Sequence, residues 1–190
     1  MFEGYEPTKY IALAWLTGIL PIIKEKATLL SNFHQFTMLD SGSLGQFMGF
    51  TENEVRKLCS GYHQDYNELK KWYGRYFLNG YELFNPMAVC RHMKFRRFNS
   101  YWSDTASYEV ISDLFSMNIT GVETTAKGLL SGACIEKDIR IFENDMHKIK
   151  TCDDVLTYLI FLGYLGFDEN KRTVYIPNED VRKSWEAAVQ

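Results

Sequence analysis

Val155-Leu-Thr-Tyr-Leu-Ile-Phe-Leu-Gly-Tyr-Leu165 is apolar on nearly every side. A helix with one apolar stripe can lie on a surface, but one that is apolar all round needs cover all round. The rest of the chain must therefore build walls around this segment. Thr151-Cys-Asp-Asp154, just before it, is a helix-start signal. Gly166-Phe-Asp-Glu-Asn-Lys-Arg-Thr-Val-Tyr-Ile176, just after it, reads as a hairpin around a polar turn. Asn178, following Pro177, caps a last helix, with Glu179 and Asp180 at its positive end. Helix, hairpin, helix is the outline of a winged-helix unit, expected over 136–190.

Upstream, Thr51-Glu-Asn-Glu54 has capping-box spacing and opens a helix with Val55, Leu58 and Cys59 on one face. A second helix is expected from about Gln64 to Tyr76, with Tyr66, Leu69, Tyr73 and Phe77 at helical spacing. Asn85-Pro86 opens a third, where the missing N–H of proline costs nothing. Thr105 caps a fourth, with Val110, Ile111, Leu114 and Phe115 inward, and Gly121–Gly132 forms a fifth. Asp40–Gly49 reads as a glycine-rich loop; no lysine follows it in the manner of a phosphate loop. The expected fold is mainly α with a small β component: a helical bundle over 51–135, then the winged-helix-like unit.

Near the N-terminus, Ile11–Ile23 is the longest apolar run. It is interrupted by Thr17, Gly18 and Pro21 and is too short for a bilayer, which needs roughly 20 residues. It reads as a buried strand leading into a loop, covered within the fold or by a second copy of the chain. No signal peptide is recognisable, and the four cysteines show no C-x-x-C spacing. A reduced cytoplasmic protein with free, buried thiols and no membrane partner is expected.

Several stretches together resemble one family: Tyr10-Ile-Ala-Leu-Ala-Trp-Leu-Thr-Gly-Ile-Leu-Pro-Ile-Ile-Lys24, Gly49-Phe-Thr-Glu-Asn-Glu-Val55, Lys71-Trp-Tyr-Gly-Arg-Tyr76, Phe84-Asn-Pro-Met-Ala-Val89, Tyr101-Trp-Ser-Asp-Thr105, Phe142-Glu-Asn-Asp-Met146, Asp153-Asp-Val-Leu156, Leu162-Gly-Tyr-Leu165 and Ile176-Pro-Asn-Glu179. In this order they resemble the bacterial AAA-ATPase-like proteins, often linked to a PD-(D/E)xK nuclease domain. The resemblance implies that residues 1–50 hold a remnant of the ATPase core strand plus a loop. It also implies that the phosphate loop lies upstream and the nuclease half downstream. No G-x-x-x-x-G-K-[ST] occurs in the 190 residues, so neither ATP binding nor ATP hydrolysis is expected. Where the family reads W-Y-D-G-Y, this chain has Trp72-Tyr-Gly-Arg-Tyr76: the aspartate is gone and an arginine has entered.

Charge is unevenly spread. Residues 67–102 carry 7 basic and 2 acidic side chains, whereas 103–190 carry 9 and 15. Arg91-His-Met-Lys-Phe-Arg-Arg-Phe-Asn-Ser-Tyr-Trp102 interleaves cations with Phe95, Phe98, Tyr101 and Trp102. Cations neutralise phosphates and aromatic faces stack on bases. Lys70, Lys71, Arg75, Arg91, Lys94, Arg96 and Arg97 are therefore the candidate contacts for nucleic acid or an acidic protein. A solvated helix end with its aromatics facing the core is the other reading. Asp65 with Glu68-Leu-Lys70 matches a nuclease pattern in letters only, since one amphipathic helix carries all three. Cys90 and His92 fall short of a four-ligand metal site, and no G-x-S-x-G is present.

A non-catalytic binding protein derived from an AAA-ATPase-like protein, without cofactor or metal, is the expected function. A phage- or mobile-element-encoded inhibitor of a nucleic-acid-targeting defence system, for example an anti-CRISPR, and a piece of a larger ATPase–nuclease are the alternatives.

Overall fold

The structure, a computed structural model, describes residues 13, 15–20, 34–102, 109–137 and 149–189. The expected cap at Thr105 and the stretch Phe142–Met146 lie outside these residues, as does most of Tyr10–Lys24. A 3₁₀ helix, Gly42–Phe47, precedes β1 (Phe50–Thr51), α1 (Glu52–Tyr62), α2 (Tyr66–Tyr73), β2 (Tyr76–Leu78), β3 (Tyr81–Phe84) and α3 (Pro86–Phe95). Then follow α4 (Glu109–Ser116), α5 (Val122–Leu130), β4 (Ile135–Glu136), α6 (Cys152–Phe161), β5 (Gly166–Asp168), β6 (Thr173–Tyr175) and α7 (Glu179–Val189). The protein is mainly α with a small β component, as its sequence implies.

The caps form as their letters dictate. Glu54 Oε2 accepts the Thr51 N–H at 2.8 Å and the Thr51 hydroxyl at 2.7 Å, opening α1. Asp65 Oδ1 accepts from Glu68 N at 2.8 Å to open α2. Asn85 Oδ1 accepts from Met87 N and Ala88 N, with Pro86 in the first turn of α3. Thr151 and Asp154 bond reciprocally at α6, and Asn178 Oδ1 accepts from Val181 N at α7. The bonds accepted by Asp65, Asn85, Thr151 and Asn178 satisfy first-turn donors that the helices themselves cannot, and Glu54 and Asp154 reach back to the N–H groups of the cap residues.

The second helix stops earlier than its periodicity implies. It ends at Tyr73, and Tyr76–Leu78 is strand, with Tyr76 buried and Phe77 turned outward. Two adjacent residues break it. A Cβ at Gly74 would lie 2.8 Å from Phe84 Cε1 and 2.9 Å from the Lys70 carbonyl oxygen, so a side chain cannot sit here as the chain is packed. Arg75 follows at φ +67°, the left-handed region. Then Asn79 (φ +47°) and Gly80 (φ +81°) form a two-residue turn between β2 and β3. Likewise α6 ends at Phe161, and Gly163 (φ +81°) turns the chain through Leu162–Leu165, which the sequence pattern extends as helix.

Both sheets are antiparallel and three-stranded, ordered β1-β3-β2 and β4-β6-β5. In the second, β4 pairs with β6, which makes the second strand of the hairpin the central strand of the sheet. Helix α6 is buried from Val155 to Ile160. Its cover comes from α4, α5, the β5–β6 hairpin, α7 and three residues of the first sheet: Tyr76, Leu78 and Leu83. A second core joins Val55 and Cys59 of α1, Leu69 and Tyr73 of α2, Phe84 of β3, Ala88, Val89 and Met93 of α3, and Tyr101. The neighbours Leu83 and Phe84 thus face different cores, as successive strand residues must.

Two expectations are corrected. Leu13, Trp15 and Ile19 are 83, 65 and 79% exposed and lie in no strand; of the described part of this segment, only Leu20 packs on a core. Without a ladder partner, strand geometry has nothing to hold it. The thiols are free but not all buried: Cys59 is, whereas Cys90 and Cys134 are exposed. Cys90 lies on α3 between the buried pair Val89 and Met93 and the solvent, on the outward side of the helix.

Candidate anion-binding surface

The seven candidate cations divide into two groups. Lys70, Lys71 and Arg75 line a cleft of about 250 Å³ between α2 and the start of α7, together with Asn67, Ile176, Asn178, Glu179 and Arg182. Arg91 and Lys94 lie on α3, Arg96 caps it and Arg97 lies in the loop after it, and none of them lines the cleft.

Within the cleft two cations are already engaged. Lys70 Nζ lies 2.5 Å from Glu82 Oε2, whose side chain is largely buried. Arg182 Nη1 donates to the Leu130 carbonyl at 2.7 Å, and its Nε lies 3.8 Å from Glu179 Oε1. Lys71 and Arg75 are exposed and have no acidic partner among the described residues. The Arg75 main chain is pinned from both sides: its N–H donates to Glu82 Oε1 at 3.2 Å, and its carbonyl accepts from the Tyr175 hydroxyl at 3.0 Å. Asn178 Nδ2 donates to the Gly74 carbonyl at 2.9 Å, closing the floor.

On α3, the loop is held by aromatic residues with polar tips. The Tyr73 hydroxyl donates to the Asn99 carbonyl and accepts the Asn99 N–H, both at 3.1 Å. The Tyr101 hydroxyl donates to the Arg97 carbonyl at 3.1 Å. Arg96, at φ +52°, caps α3 in the left-handed region. Trp72 stacks on Phe98 at 5.6 Å, Phe98 on His92 at 4.1 Å, and Lys183 Nζ lies 4.5 Å from the centre of the Trp72 ring. Asp180, buried on α7, accepts the Trp102 N–H at 2.9 Å and the Ser100 hydroxyl at 3.0 Å.

Of the four aromatics interleaved with these cations, Tyr101 is buried, Phe98 and Trp102 are half-buried, and only Phe95 is exposed. Lys94, Arg96 and Arg97 are exposed, and Arg91 is half-buried with its guanidinium 5.7 Å from the Tyr101 ring centre.

His92 is buried beneath this loop. Its Nδ1 lies 3.1 Å from the Arg97 carbonyl oxygen and its Nε2 3.0 Å from Gln64 Oε1. The Gln64 amide nitrogen is committed to the Tyr62 and His63 carbonyls, both at 3.1 Å. Both ring nitrogens therefore face acceptors: a neutral ring donates to one of them, and only a charged ring donates to both. Burial pushes the imidazole below its ordinary value and outweighs the pull of the Arg97 carbonyl.

Arg182, Lys183 and Asn67 escape a reading of the sequence. The first two lie inside the acidic final third, where the segment charge conceals them; the Asn178 cap, which fixes the orientation of α7, was the available signal. Asp65 and Lys70, letters of the nuclease-like pattern, are a helix cap and an ion-pair partner. No three His, Cys, Asp or Glu side chains among the described residues are grouped to hold a metal ion, and no described helix is long and apolar enough to cross a membrane. No family profile, curated protein or solved structure matches the chain.

Proposed function

We propose that this chain is a non-catalytic binding protein that grips an acidic protein surface through the loop after α3. The observation that carries the reading is that Lys94, Arg96 and Arg97 are exposed and free of acidic partners among the described residues, while their backbone is tied to a packed base by Tyr101 and His92. Cations held in place lose less entropy on binding than cations on a loose tail. Protein is favoured over nucleic acid as the partner for two reasons. Sequence-tolerant strand binding needs several aromatic faces, and here one is exposed. Groove reading in helix-turn-helix proteins needs a solvent-facing helix, and the helix before the hairpin, α6, is buried all round.

The test is Arg96→Glu with Arg97→Glu, read by fluorescence anisotropy against labelled polyglutamate and a labelled oligonucleotide. The polyglutamate should bind, weaken with salt and release on the double substitution, with stability changed by less than about 1 kcal/mol. Oligonucleotide binding that falls by about 0.9 log units per log unit of salt for each phosphate, and is lost in the same variant, overturns the protein reading in favour of nucleic acid. A double variant that unfolds makes the loop structural.

A further inference from the structure

We infer that the cleft between α2 and α7 is a second, separate site that takes a single carboxylate, an Asp or Glu side chain presented by an acidic protein partner. The source of the carboxylate rests on the partner class proposed above; the site itself rests on its own geometry.

Its charge balance selects an anion. Lys70 is matched by Glu82 and Arg182 by Glu179, so two cations, Lys71 and Arg75, remain uncompensated. A monoanion gains from both. The assignment to a carboxylate rather than a phosphate rests on the partner class proposed above, and the two ligands are separated by titration. The shape agrees. About 250 Å³ holds the end of one side chain rather than a run of nucleotides, and Ile176 gives its methylene stem an apolar surface. The Asn67 amide adds a neutral donor or acceptor beside the cations.

The decisive residue is Arg75. Its φ of +67° is a conformation that glycine adopts freely and arginine only under strain. Its N–H is anchored on Glu82 and its carbonyl on Tyr175, so the backbone cannot relax into another region without breaking both bonds. The strain is held, and what it presents is the side chain of Arg75 in the cleft wall, with its planar guanidinium 5.7 Å from the centre of the Tyr175 ring. That fork matches a carboxylate geometrically, which a lysine in the same place would not.

The experiment is a titration of the whole chain with an acetylated, amidated Gly-Glu-Gly peptide and, separately, with inorganic phosphate, followed by the backbone amide resonances of Gly74 and Arg75 and the side-chain amides of Asn67 and Asn178. The peptide should shift these resonances at low salt and phosphate should shift them less. Arg75→Gly should weaken the peptide by roughly tenfold or more, while raising the melting temperature as the strained φ is relieved. Arg75→Lys keeps the charge without the fork and should fall between the two. No shift with the peptide overturns the site, and so does full affinity in Arg75→Gly. Phosphate binding tighter than the peptide overturns the carboxylate assignment. If Arg75→Gly is poorly folded, the Arg75→Lys titration decides: undiminished affinity there overturns the role of the fork. The Arg96→Glu, Arg97→Glu protein should keep the peptide shifts at the cleft, so failure of the α3 loop reading and failure of this one are separable.

Discussion

The two cores of this protein are built from different chemistry. The core around α6 is mostly aliphatic, with Ile111, Leu114, Leu129, Val155, Leu156, Leu159, Ile160, Leu165, Val174 and Val181 buried. The core between α1, α2 and α3 is rich in rings: Tyr73, Phe84 and Tyr101, with Tyr66, Trp72 and Phe98 packed against it. Aliphatic packing is strong but has no direction. Tyrosine and histidine add a polar tip that must find a partner when buried. Here those tips reach the Arg97 and Asn99 carbonyls, so the ring-rich core fixes where the cationic loop lies. One core supplies bulk stability, and the other also supplies position.

The largest effect that tests this comparison is truncation within each core. Leu159→Ala should cost about 2–5 kcal/mol and Phe84→Ala about 3–5 kcal/mol, measured by denaturant unfolding. Because Leu83 and Phe84 couple the cores, both variants should still unfold in one transition by fluorescence and circular dichroism alike. Two separated transitions would break the coupling.

Next comes Asn178→Ala. It removes both the α7 cap and the bond to the Gly74 carbonyl, leaving that carbonyl buried without its donor, and should cost about 1–3 kcal/mol. Tyr73→Phe should cost less, about 1 kcal/mol, yet should speed hydrogen exchange at Asn99 well beyond what it does at Leu159. Equal acceleration at both sites would mean that the ring-rich core has no special hold on the loop.

The pH dependence sharpens the contrast further, since among the described residues a buried histidine, His92, lies beside one core only. The folded His92 lies below its ordinary value, so the unfolded chain binds the proton first as pH falls. Stability should be fully present above about pH 6.5, the unfolded value, and decline below it until the folded ring protonates. His92→Gln should flatten that decline. A nitrogen-detected titration placing the folded ring above the unfolded value would reverse the sign and give the Nε2–Gln64 contact the upper hand over burial. Smallest of all, Glu52→Gln at the exposed Glu52–Arg56 pair should leave the denaturant midpoint nearly unchanged.

The sequence is most informative where a single turn decides. Asn85, Thr151 and Asn178 cap helices because the donors they satisfy lie within three residues of them. The β2–β3 hairpin is harder to see. Asn79-Gly80 is a strong turn signal, yet Tyr66, Leu69, Tyr73 and Phe77 continue a helical spacing straight toward it. What breaks that spacing is the contact of Gly74 with Phe84, ten residues on, which no local pattern contains. The cleft is less visible still, because it joins Lys71 and Arg75 to Arg182, more than a hundred positions later, through bonds such as Asn178 to Gly74. The charge count points to half of it. The other half lies in a segment whose net charge has the opposite sign.

The placement of Leu83 and Phe84 on opposite faces of β3 also limits how this chain can change over time. Inserting or deleting one residue before them would turn each side chain toward the other's core, exposing an aliphatic to the ring cluster and a phenyl ring to the aliphatic one. Both halves would be damaged by one event. Length variation in the β2–β3 hairpin should therefore be rare in any lineage that keeps this fold, whereas the polar turn of the β5–β6 hairpin, exposed from Glu169 to Arg172, can lengthen at little cost.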